Sequence, residues 1–240
     1  MPRIPLIEDL TRKPVPGGSR LLVEYDPASQ WYNASLTIAA GWLQTGGRVA
    51  YNVASQPAGN VRIQLERLGL RAEELEEKAK LLIYDWYSAT LGQRSVEKFN
   101  EDSLKVADMS IGWMKEAKEL AQSAPSPGEL TIVDDISSLD RFNEEKVWVE
   151  FILTRIIARN PVRRDPRIST IGLVRGLHSE RVYKRLEAAF DGVIDFRLDD
   201  LGDEPKNLLR VRSIRNVGFD GRWHPLKTTD NFEVALEAVS

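Results

Sequence analysis

Short, almost continuous apolar runs punctuate most of this chain. Leu21-Leu22-Val23-Glu24-Tyr25, Arg48 to Val53, Leu81 to Tyr84, Leu130 to Val133 and Ile168 to Val174 all have this form. It is the pattern of strands buried on both faces. Between the runs lie helical segments. A helix runs from an Asn33 cap to Leu43 and ends at Gly46-Gly47. Val61, Leu65 and Leu68 mark one face of the next, which stops near Gly69, and Ala72 to Lys80 reads as a charged, exposed helix. Val106, Met109, Trp113, Ala117 and Leu120 recur at steps of three and four, predicting a one-faced helix that the two prolines of Ser123–Gly128 break. Glu144 to Ala158 is apolar enough to predict burial on several sides, and Arg181 to Ala189 predicts a short helix. The tail differs: Val193 to Leu198, Leu208 to Ile214 and His224 to Thr229 read as strands joined by turns.

Strands alternating with helices imply βαβ units and a mostly parallel sheet covered on both faces, an α/β fold in which the terminal strands add an antiparallel edge. The expected organisation is a single domain over 1–240. Its parts are an N-terminal lead-in (1–19), a parallel core (20–200) and a C-terminal β extension (201–240). No internal repeat or low-complexity stretch is visible. The 240 residues, 42% hydrophobic, suffice for a real core. A net charge of −3 sets up no global field toward nucleic acid or membrane. The absence of cysteine excludes disulfides, thiolate zinc sites and a thiol nucleophile, and two histidines, His178 and His224, are too few for a histidine-rich metal centre. No apolar run approaches the roughly 20 residues of a membrane span. Met1–Pro16 carries four prolines and lacks the apolar run of a secretion signal, so the expectation is a cytoplasmic protein.

The loop after the first strand carries the chemistry. A phosphate-binding P-loop at this place would read G-x-x-x-x-G-K followed by serine or threonine. Its glycines turn amides inward around the phosphates, its lysine neutralises them, and its hydroxyl holds magnesium. This chain has Tyr25-Asp26-Pro27-Ala28-Ser29-Gln30-Trp31-Tyr32. Tyr25 and Gln30 stand at the glycine positions, Trp31 at the lysine and Tyr32 at the hydroxyl. On these residues alone, a replaced P-loop and an ordinary strand–loop–helix turn are equally good readings.

Taken in order, residues 3 to 239 resemble the KaiC/RadA-like branch of the RecA superfamily, single-domain ATPases common in archaea. Pro16-Gly17-Gly18-Ser19-Arg20-Leu21-Leu22-Val23-Glu24 is similar to the lead-in to the family's Walker A strand, and Asp26-Pro27 retains its acidic–proline pair. Val49-Ala50-Tyr51-Asn52-Val53 resembles the second strand, but Ser55 and Gln56 stand where the family has two glutamates, one of which positions the attacking water. Leu82 to Ser88 resembles the third strand and its loop, and Leu130–Asp134 the Walker B strand. Asp134 falls at the magnesium-associated aspartate and Asp135 at a usual serine. Phe190-Asp191-Gly192-Val193-Ile194 resembles the turn into an edge strand. In Ser213-Ile214-Arg215-Asn216 only Arg215 survives of the lysine–x–arginine–glycine element that reaches a neighbour's nucleotide.

The resemblance implies a RecA-like αβα sandwich with a degenerate Walker A and no catalytic glutamate. Phosphoryl transfer rests on positioning and electrostatics, and the reacting groups are the ones missing. The expectation is a pseudo-ATPase with no cofactor, acting as a regulatory or assembly partner of another protein, such as an active RecA-like paralogue. The alternative is a weak nucleotide-binding or recombination-accessory ATPase that keeps ATP and magnesium. Asp134 and Asp135 read either as a divalent-ion pair or as a relic pair that faces solvent or caps nearby amides. Trp31 and Tyr32 read either as a plug in the old pocket or, with Trp86 and Tyr87, as an apolar partner groove. His178 reads as a loop residue or a sensor of a bound group. Arg155, Arg159, Arg163, Arg164 and Arg167 form the chain's best basic patch, read as a solvated turn or a phosphate-backbone contact.

Overall fold

The computed structural model describes residues 2–109, 128–157, 167–200 and 204–237. Ten strands form one sheet, and five of them are the apolar runs read from the sequence: β1 (Arg20–Tyr25), β2 (Arg48–Val53), β3 (Leu81–Asp85), β5 (Glu129–Val133) and β6 (Ile168–Val174). β4 (Phe99–Asn100) is a two-residue edge. The rest are β7 (Gly192–Asp199), β8 (Lys206–Ile214), β9 (His224–Thr228) and β10 (Val234–Leu236). The spatial order is β10-β9-β8-β7-β1-β6-β5-β2-β3-β4. β7 pairs parallel with β1 and so belongs to the parallel part. Antiparallel pairing starts with β8 and continues through β9 to β10. No described helix is long and apolar enough to cross a membrane.

The period of two along β1 sorts its side chains between two cores. Leu21, Val23 and Tyr25 enter one and Leu22 the other. The first core packs the sheet against α1 (Trp31–Gln44), α2 (Ala58–Arg67), α3 (Ala72–Glu77) and the N-terminal segment. The second packs it against α4 (Tyr87–Thr90), α5 (Glu145–Phe151) and α6 (Glu180–Ala189).

Two helix readings change, and a third lies largely outside the described residues. α1 starts at Trp31, with Gln30 as its cap residue, so Asn33 lies inside the first turn and donates its side-chain amide to Gln30 Oε1 at 2.7 Å. The segment expected as one helix from Glu144 is α5 followed by a π-helical stretch, Ile152–Ile157. Most of the helix expected over Val106–Leu120 lies outside the described residues, although Val106 and Met109 are buried in the second core.

Candidate functional site

β1, β2, β3, β5 and β6 run parallel, so their C-terminal ends share one edge of the sheet. Trp31 sits at that edge, 2% exposed, at the start of α1. Its indole Nε1 donates to the Asp134 carbonyl at 2.7 Å, and its ring packs against Phe196 and Tyr25 with centroids 5.3 and 6.2 Å away. Gly172 makes the space: a Cβ there would lie 2.1 Å from the Asp134 carbonyl oxygen and 2.7 Å from the indole nitrogen.

The loop from β1 to α1 is tied down by β7 and β8. Asp26 donates its amide to the Phe196 carbonyl at 3.0 Å and accepts the Leu198 amide at 3.2 Å. The Gln30 amide donates to Asn207 Oδ1 at 3.0 Å, and the Ser29 amide to the Asp26 carbonyl at 2.8 Å. No residue from 25 to 32 has a positive φ. The loop therefore has ordinary L-residue backbone, with the amides of Ser29 and Gln30 engaged within the protein.

Asp134 is 1% exposed, and its carboxyl accepts from the Ala54 amide (2.7 Å), the Ser55 amide (3.3 Å) and the Ser55 hydroxyl (2.6 Å). Of the two readings for this residue, the geometry is that of an amide cap. Burial pushes its pKa up to about 7, against the hydrogen bonds from Ser55 and Ala54 and with help from neighbouring Asp135. Asp135 accepts the Ser137 amide at 2.8 Å, and burial raises its pKa too. Burial beside these acids drives the Tyr25, Tyr32 and Tyr51 hydroxyls well above the ordinary tyrosine range. Ser55 is thus a donor to Asp134, and Gln56 Oε1 accepts from Asn60 at 3.2 Å. Among the described residues no group of three acidic, histidine or cysteine side chains is placed to hold a metal.

The four aromatic rings are not brought together. Trp86 is 0% exposed in the second core beside Tyr84, whereas Trp31 is in the first. Tyr32 and Tyr87 are half-buried. A groove lined by all four is not formed, because Trp31, at the head of α1, packs into the core on one face of the sheet and Trp86, just after β3, into the core on the other. In the basic patch, Arg159, Arg163 and Arg164 lie outside the described residues, as does the Arg155 side chain. Arg167 has its Nε 3.9 Å from Glu129. His178 is buried between the rings of Trp148 and Tyr183, and burial lowers its pKa. Arg215 donates to the Ala188 carbonyl at 2.8 Å.

The sequence matches no family profile and no curated protein. Its structure is similar to that of a KaiC-like protein from the hyperthermophilic archaeon Pyrococcus horikoshii. The TM-score is 0.69 and the identity 15%, over 99% of this chain and 97% of that one. The fold is RecA-like, of the KaiC type.

The KaiC-type sheet also assembles a charged cluster that the sequence reading missed. Asp195 of β7, 0% exposed, accepts from Arg175 Nη2 (2.7 Å), Arg210 Nη2 (2.6 Å) and Arg212 Nη2 (2.6 Å). Arg212 also reaches Glu24 and Glu187, each at 2.5 Å. Burial, then the neighbouring Glu187, pushes the Glu24 pKa up to about 7, with Arg212 opposing. The sequence signal was an aspartate inside the apolar run of β7 facing two arginines at period two in β8. It becomes a cluster only once β7 and β8 pair.

Proposed function

We propose that this KaiC-type domain does not turn over nucleotide and works through contacts with another protein. The observation that carries the reading is the seat of Trp31. The residue that the motif spacing sets at the phosphate-binding lysine is a buried indole hydrogen-bonded to the backbone at Asp134. The residues here do not fit a triphosphate with its magnesium. The loop offers no cation and no left-handed backbone, and the Asp134 carboxyl already serves three protein donors. A scaffold retained while its reacting groups are replaced together keeps its shape and surfaces, which supports the role of binding partner.

Phosphate release from ATP in magnesium buffer, run beside titration calorimetry, tests this. The expected result is no turnover above the Asp134→Asn variant and no binding heat at millimolar ATP. Turnover that disappears in Asp134→Asn would show the site to be catalytic and end the proposal.

A further inference from the structure

His178 sits where the chain leaves β6 for α6, and its side chain is 1% exposed. The ring packs against Trp148 of α5 and Tyr183 of α6, with centroids 5.0 and 6.2 Å away. Neither ring nitrogen has a hydrogen-bond partner among the described residues. The polar groups around it are committed elsewhere. Asp140, on the short 3-10 turn Ser137–Arg141, accepts the Trp148 indole at 3.2 Å through Oδ1, and its Oδ2 stops 4.0 Å from His178 Nδ1. Both Glu145 oxygens accept from Ser179, the amide at 3.2 Å and the hydroxyl at 2.8 Å. The Tyr183 hydroxyl accepts the Leu177 and His178 amides at 3.1 and 3.3 Å and donates to the Val174 carbonyl at 2.7 Å. Asp140 and Glu145 are the charges that act on the ring. The cations of the same elements are directed elsewhere: Arg141 lies over the Phe142 ring, Arg181 acts on Glu145 and Lys146 on Glu150. Gly176, with φ 76° and open space around it, gives the loop a hinge. Arg175 before it is fixed, its amide on the Tyr25 carbonyl at 2.8 Å and its guanidinium on Asp195 at 2.7 Å.

We propose that His178 is an acid-operated latch on the loop from β6 to α6: the neutral ring closes the aromatic box, and the protonated ring leaves it and frees Leu177 through the first turn of α6. The inference is independent of how the domain treats nucleotide. An imidazolium carries two N–H donors. Inside the box both would be buried without an acceptor, which costs far more for a charged group than for a neutral one. The Trp148 ring and the Asp140 carboxylate oppose this. Attraction to one ring and to an oxygen 4.0 Å away does not replace two charged hydrogen bonds to water. Burial accordingly holds the His178 pKa below its ordinary value, with Asp140 and then Glu145 pulling the other way. A ring that swings out meets water and Asp140, whose side chain is 39% exposed. The sign follows. The open loop binds the proton better than the closed one, so closure is fully favoured above the ordinary imidazole pKa and is lost as pH falls below it.

An NMR titration of the full chain reads the ring directly. The chain has two histidines, and His224→Asn assigns the second signal. The His178 midpoint is expected below the ordinary 6.5, and lower still in Asp140→Asn, which keeps an acceptor for Trp148 and removes the charge. Hydrogen exchange, corrected for its intrinsic pH dependence, then reads the loop at pH 7 and at one unit below that midpoint. The amides of His178 to Val182 should open more often at the lower pH, by about tenfold for each unit between the midpoint and 6.5. His178→Phe fills the box without a titrating group and should abolish the change, and His178→Leu serves if that variant does not fold. Asp134 and Glu24, both raised to about 7, gain protons over the same range, so this comparison isolates the imidazole. Four results would overturn the proposal: a midpoint at or above 6.5, a midpoint that Asp140→Asn leaves unmoved, exchange that does not respond to pH, or a response that persists without the imidazole.

Discussion

Trp31 does two things that a lysine at its position would not: it fills the volume at the head of α1, and it satisfies the backbone carbonyl of Asp134. Truncation to alanine removes both. Trp31→Ala is expected to destabilise by about 3–5 kcal/mol, the usual range for a large aromatic removed from a core. Urea denaturation measures it. Gly172→Ala should be destabilising for a different reason, since its Cβ would meet backbone, the Asp134 carbonyl at 2.1 Å. Combining it with Trp31→Ala should therefore give no rescue, and a double variant more stable than Gly172→Ala alone would refute the backbone origin of the clash. Asp134 gives a pH signature. Burial raises its pKa from 3.8 to about 7, so within that window the folded state binds more protons than the unfolded chain. Its contribution is greatest at low pH and is lost as pH rises toward 7, by at most about 1.4 kcal/mol per pH unit. Asp134→Asn does not titrate, so relative to the wild type it should gain stability between pH 5 and pH 8. Paired denaturation curves at the two pH values read the sign.

Elements position these residues by borrowing bonds from distant parts of the chain. The loop from β1 to α1 is held from β7 and β8, through Phe196, Leu198 and Asn207. Asn207→Ala should release the Gln30 amide at a cost of about 1 kcal/mol. In a chain of this size that lowers the melting temperature by roughly 2–4 °C. Hydrogen exchange at Gln30 should speed up, while exchange in β2 stays as it was. The start of α1 was misplaced for a related reason. Asn33 is a good cap by residue type, yet the helix begins at Trp31, because the indole's burial against Phe196 and Asp134 fixes that turn and no side-chain cap bond is needed.

At the scale of the whole molecule, one sheet carries two chemically different regions. Its parallel half is closed by helices on both sides, and Trp31 and Tyr25 pack at the C-terminal edge of its strands. Its antiparallel half has helix and N-terminal segment on one side and the cluster of Asp195 with three arginines on the other. The expected absence of ATP turnover is the prediction at this scale.

The strands of the parallel core and their order along the chain were legible in the sequence alone. Burial on both faces leaves a local mark, a short run of apolar residues. Tertiary structure alone decided the direction in which Trp31 points, the separation of Trp31 from Trp86, the engagement of Asp134 by Ala54 and Ser55, and the assembly of Asp195 with three arginines. Each depends on residues far apart in sequence meeting across strands, and neither hydrophobic period nor residue type carries the register that brings them together.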